Sequence, residues 1–225
     1  MPTPARARDE ALFWLGQQDR EHAGFLVLGT PDPGVRAEAS RVMQAYEQAA
    51  AAGDVRALVE IARASQALKR AALALRREGW IGSLYPSLIE HMIEEVDHAL
   101  ATMSREVSLR DAACFWARER SGAAAVLGKL LDPSETALSA HAMRHSAVLR
   151  NLHAGCRRPS IWTEWTAPSK LVAAIADFDR FTASLLASNP ASILDPLLAQ
   201  HEMREGQRAR QLLAESLQRP GAPPR

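Results

Sequence analysis

His91 and Glu95 stand four residues apart in the stretch Pro86-Ser87-Leu88-Ile89-Glu90-His91-Met92-Ile93-Glu94-Glu95. On a helix that spacing puts both side chains on one face, with Cβ atoms about 5–6 Å apart. An imidazole and a carboxylate so placed can share one metal ion. His98, one turn further on, falls on the same side. It also completes Glu95-Val96-Asp97-His98, an E-x-x-H match of the kind used by di-metal bundles. His22 belongs to a separate stripe with Leu15, Phe25 and Leu26 and is expected to face a bundle interior, with Glu21 toward the stripe's edge. A lone inward histidine is ordinarily a hydrogen-bonded core residue. Three inward histidines and a carboxylate on two helices are costly to bury without compensation, and a metal supplies it. The expected site is therefore His22, His91 and Glu95, with Glu21 or His98 as a further ligand. Its expected cofactor is a divalent transition metal. Mixed nitrogen and oxygen donors suit iron, manganese, zinc or nickel alike.

A second set has the same grammar. His201 and Glu205 are again four apart, in Pro196-Leu197-Leu198-Ala199-Gln200-His201 and onward. The positions matching His22, Glu21 and His98, however, hold Ala124, Ala123 and Arg208. His141 and His145, four apart on another expected helix, could supply replacement nitrogens for a second metal site. Their plainer reading is a pair of solvated surface histidines.

The elements that must position these residues are all helical. Alanine, leucine, arginine and glutamate dominate, aromatics are 5% of the chain, and β-branched residues are sparse. Helices are expected over Asp9–Gly29, Val35–Ala52, Val55–Arg77 and Pro86–Met103, then Leu109–Leu131, Ser134–Ala154, Ser169–Ala187 and Ile193–Gln218. Thr30-Pro31-Asp32-Pro33-Gly34, Gly53-Asp54 and Asp132-Pro133 punctuate them, with Asp54 as an N-cap and Pro86 in a first turn. An irregular stretch from Gly155 to Pro168 carries Cys156, Pro159, Trp162 and Trp165. The tryptophan pair is expected to pack over the bundle.

The halves repeat. Trp14 to Trp116 and Pro31 to Pro133 are each 102 residues, while Pro86 to Pro196, His91 to His201 and Glu95 to Glu205 are each 110. Two constant offsets imply a duplicated unit with a net insertion of eight residues, most simply within Gly155–Pro168. The expected architecture is all-α: two tandem up-and-down four-helix bundles related by internal duplication. The first spans 9–104, the second 109–218, and a breaker-rich tail, 219–225, is not expected to order unaided.

The net charge of +1 creates no global field toward nucleic acid or anionic lipid, so neither is expected as a partner. No apolar run follows the basic N-terminus as a secretory signal would require, and none reaches the roughly 20 residues of a membrane span. Two cysteines in 225 residues are no disulfide framework, so a reducing compartment and a cytoplasmic location are expected. Cys114 reads as core. Cys156, beside Arg157 and Arg158, reads as an exposed or structural thiol.

Phe13, Trp14, Glu21, His22, Ala23 and Phe25, then Gly79, Gly82, Pro86, His91, Met92 and Glu95, form a longer pattern. Phe115, Trp116, Pro196, Leu197, Leu198, His201 and Glu205 echo it in the second half. From about Glu10 to Leu213 the chain resembles the bacillus-metalloprotein-like family of duplicated four-helix bundles, a domain family of unknown function. That resemblance implies paired bundles that bind metal through the first and last helix of a repeat. It implies no particular reaction. Ala124 departs from the pattern, where the family's second repeat has histidine. Three functions remain open: a protein that senses, stores or delivers a metal ion; a ferritin-like oxidative metalloenzyme acting on a small molecule or dioxygen; and a metal-free helical interaction module.

Overall fold

Side-chain caps set where the helices begin. Asp32 Oδ1 accepts from the Val35 amide at 2.8 Å, Asp54 Oδ1 from Ala57 at 3.0 Å, and Ser108 Oγ from Asp111 at 3.1 Å. Each meets an amide that the first helical turn leaves without an intrahelical acceptor. Gly53 ends its helix in the left-handed conformation, φ 64°, where a side chain would be strained. The structure is a computed structural model that describes residues 3–80, 82–104, 107–156, 166–188 and 195–217.

Among the described residues the regular elements are eight helices, and the all-α expectation holds. Helix α1 is one continuous rod of three pieces: Pro4–Phe13, a π-helical segment Trp14–Asp19, and Arg20–Gly29. Then come α2 (Pro33–Ala52), α3 (Val55–Arg77) and α4 (Pro86–Ser104). The rest are α5 (Leu109–Leu130), α6 (Thr136–Cys156), α7 (Thr166–Ser188) and α8 (Pro196–Leu217). Helix α1 starts five residues earlier than the periodicity predicted, because Thr3 caps it and Pro4 suits its first turn.

The chain divides into two compact units, Met1–Glu106 and Val107–Arg225. In the first, α1 packs on α2, α2 on α3, α3 on α4, and α4 closes back onto α1. Its core holds Trp14, Leu15, Leu26, Tyr46, Leu58, Ile89 and Met92. In the second, α5 through α8 close in the same order around Trp116, Leu127, Leu149, Ile175, Phe178 and Leu213. No described helix is long and apolar enough to cross a membrane. The Trp162/Trp165 pair, Pro159, Arg157, Arg158, most of the irregular Gly155–Pro168 stretch and the tail lie outside the described residues.

The cysteine reading needs correction. Cys114 on α5 and Cys156 at the end of α6 form a disulfide, with Cα atoms 5.6 Å apart. Because α5 and α6 are antiparallel neighbours, residues at similar distances on either side of their connection come side by side. Arg110 Nε also donates to the Cys156 carbonyl at 2.9 Å. The expectation of two unpaired thiols fails, and the inference of a reducing compartment loses the observation it stood on.

Candidate metal centre

The first unit brings together three residues that the spacing singled out. Glu95 and His91, one turn apart on α4, meet at 2.7 Å between Oε1 and Nε2. From α1, His22 Nε2 reaches the other oxygen, Oε2, at 2.9 Å. Two imidazole nitrogens thus converge on one carboxylate. Glu95 and His22 are each 1% exposed at the side chain and His91 is 11% exposed. Burial pushes the Glu95 carboxyl up, but His91 and His22 outweigh it and hold it well below the usual carboxylate range.

Behind His22 lies a layer that sequence reasoning missed. The π-helical segment ends at Asp19, and Asp19 and His22, three residues apart on one helix face, are both buried. Asp19 Oδ1 is 3.3 Å from His22 Nδ1. Two helices supply its other partners: Tyr46 of α2 donates its hydroxyl to Oδ2, while Ser65 Oγ, at 3.1 Å, and Lys69 Nζ of α3 donate to Oδ1. Lys69 is fully buried; it also donates to the Met92 carbonyl of α4 at 3.2 Å and lies 3.3 Å from His22 Nδ1. Burial raises the Asp19 carboxyl, yet Lys69 and then His22 bring it down to about 2. Burial, followed by the Asp19 charge, pushes the Tyr46 phenol well above its ordinary value. One signal could have found this layer. Lys69 falls four residues after Ser65 and seven after Ala62, on the inward stripe of α3, where a cation needs a buried partner.

The other expected ligands of this unit are placed differently. Glu21 is 6% exposed on α1 beside His22. His98 turns its ring edge-on to the Trp14 indole, centroids 6.5 Å apart, and Trp14 Nε1 donates to Glu10 at 3.0 Å.

In the second unit, His201 and Glu205 are buried on α8, but Glu205 faces an arginine. The fully buried Arg120 of α5 contacts Glu202 at 2.6 Å, Glu205 at 3.4 Å and Asp179 of α7 at 3.4 Å. Its guanidinium also lies over the Phe178 ring, 4.8 Å from the centroid. Arg210 reaches Asp179 at 3.0 Å. Burial nevertheless wins at Asp179 and raises its carboxyl despite Arg120 and Arg210. His141 and His145 stack on each other at 4.9 Å and rest against Phe181. Among the described residues no group of three or more ligating side chains includes either of them.

The donors His22 Nε2, His91 Nε2 and the Glu95 oxygens are of the kinds that bind a divalent transition metal, and each imidazole meets its own oxygen of Glu95. Among solved structures, an uncharacterized protein of Bacillus cereus shares the fold, with a TM-score of 0.83 at 19% identity, over 93% of this chain and 90% of that one. No family model and no curated protein matches the chain.

Proposed function

We propose that the first unit is a metal-binding four-helix bundle that holds one divalent transition metal through His22 Nε2, His91 Nε2 and the Glu95 carboxylate. The observation that carries this reading is the meeting of two buried imidazole nitrogens on one buried carboxylate. Charge supports it as well. Asp19 and Glu95 are two buried carboxylates, held ionised by Lys69 and by the imidazoles of His22 and His91. Buried charge is costly, and a bound cation, or an imidazolium in its place, offsets it.

The protein's own residues have defined tasks in this reading. Asp19 accepts the Nδ1 proton of His22, which leaves Nε2 with its lone pair directed at the metal. Lys69, Tyr46 and Ser65 hold Asp19 in place, and Lys69 and then His22 keep it ionised. When bound, a divalent metal would supply Lewis acidity, and water activation if a coordination position stays open. The resemblance to the bacillus-metalloprotein-like family agrees with this reading, and the duplication of the bundle is part of the same proposal. Storage, sensing and oxidative catalysis are all compatible with such a centre.

The test is elemental analysis by plasma mass spectrometry of protein purified without chelator or histidine tag. About one equivalent of a single transition metal is expected, and His91→Ala should lose it while keeping its helical circular dichroism. A folded protein that stays metal-free after iron, manganese and zinc are offered would leave the interaction-module reading.

A further inference from the structure

A separate cavity of 350 Å³ opens in the second unit between α6 and α7, lined among others by His141, Arg144, His145, Val148, Lys170 and Asp177. That volume is at the small end of the range for organic ligands. Its polar groups are unevenly used. Asp177 is engaged by Arg180, whereas Arg144 and Lys170 form no ion pair among the described residues. His145 Nε2 is buried and has no hydrogen bond to the protein among the described residues. Arg144 and Lys170 against Asp177 leave one positive charge in the lining.

The two imidazoles are poorly set for a cation. They lie nearly parallel, 15° apart, rather than converging on a point, and two cationic side chains share their pocket. Burial, then His141, and more weakly Arg144, lower the His145 imidazole below its ordinary value despite Asp177. It is therefore a neutral N–H donor at neutral pH. A lining with one net positive charge and the neutral His145 donor suits a monoanion. The rest of the wall is apolar: Val148, 51% exposed, with Ala173 and Ala174.

We propose that this cavity binds a small organic carboxylate, its carboxyl group between Arg144, Lys170 and the His141/His145 pair and its hydrocarbon body against Val148 and the alanines. The assignment is independent of the metal centre. A dianion such as phosphate is less well matched, because the Asp177 carboxylate shares the wall and the alanine side offers it nothing.

The test is a titration of the full-length protein with benzoate at neutral pH, followed by the imidazole signals of His141 and His145 in NMR. Saturable shifts with a Kd of about 1 mM or tighter are expected. The double variant R144M/K170M should weaken binding at least about tenfold, with the melting temperature unchanged because both side chains are solvent-facing. Shifts that fail to saturate, binding that the double variant leaves intact, or inorganic phosphate binding as tightly as benzoate would each overturn the proposal.

Discussion

Each unit buries a cation among carboxylates, but on opposite members of its helix set. In the first, the cation is Lys69 on α3 and its carboxylate is Asp19 on α1. In the second, the cation is Arg120 on α5 and one of its carboxylates is Asp179 on α7. Lys69 and Asp179 are 110 positions apart, and Gln18, which is buried with no hydrogen bond to the protein among the described residues, stands 102 before Arg120. These are the offsets that relate the His–Glu and Phe–Trp pairs. The exchange has a chemical consequence. Lysine pairs with Asp19, and Glu95 meets two imidazoles, side chains that can ligate a metal. A guanidinium laid on Glu202 and Glu205 has five donors and no lone pair, so it pairs with the carboxylates without being able to share a metal with them.

The sharpest way to break the comparison is Arg120→Met. Removing one partner leaves Glu202, Glu205 and Asp179 buried with their main cation gone, and such losses cost about 3–5 kcal/mol. Chemical denaturation should show this loss with metal content unchanged. An unchanged midpoint would mean that Arg120 is not the counterion of this cluster.

A smaller effect is expected at Asp19, behind the metal ligand rather than on it. Asp19→Asn should weaken metal binding by about 10–100-fold, as loss of a carboxylate behind a ligating histidine typically does. It also has a pH signature in the metal-free protein. The folded-state value is about 2 against an ordinary 3.8, so the unfolded chain takes up the proton more readily. The stability contributed by Asp19 is complete above about pH 4 and is lost as pH falls through about 2. The stability difference between the wild type and Asp19→Asn should follow that course in acid titrations of unfolding.

The smallest effect tests the packing of the second centre. A Cβ on Gly206 would lie 1.9 Å from Asp179 Oδ1, so Gly206→Ala must push that carboxylate aside. Because a carboxylate can swing, about 1–2 kcal/mol is expected from denaturation midpoints, the lower part of the range for overpacking.

Much of the framework was legible in advance. Val55–Arg77 was placed to the residue, because Asp54 caps one end and Gly79 follows the other. His22, His91 and Glu95 were readable because i,i+4 spacing and an apolar stripe both point inward. Asp19 was not. It stands three before His22 and so on the same face, but its partners Tyr46, Ser65 and Lys69 are 27 to 50 residues away on other helices, and spacing carries no information about them. The arginine at Glu205 was hidden for the same reason, since Arg120 lies 85 residues away on another helix. The disulfide had a faint signal, since Cys114 and Cys156 straddle the α5–α6 connection, but a count of two cysteines outweighed it.

The most direct measurement is anomalous diffraction from crystals of metal-loaded protein, at the absorption edge of the metal that elemental analysis identifies. A single strong peak about 2.0–2.2 Å from His22 Nε2, His91 Nε2 and a Glu95 oxygen is the predicted result. A peak at Glu202 and Glu205 or at the His141/His145 pair, with none at Glu95, would contradict the account.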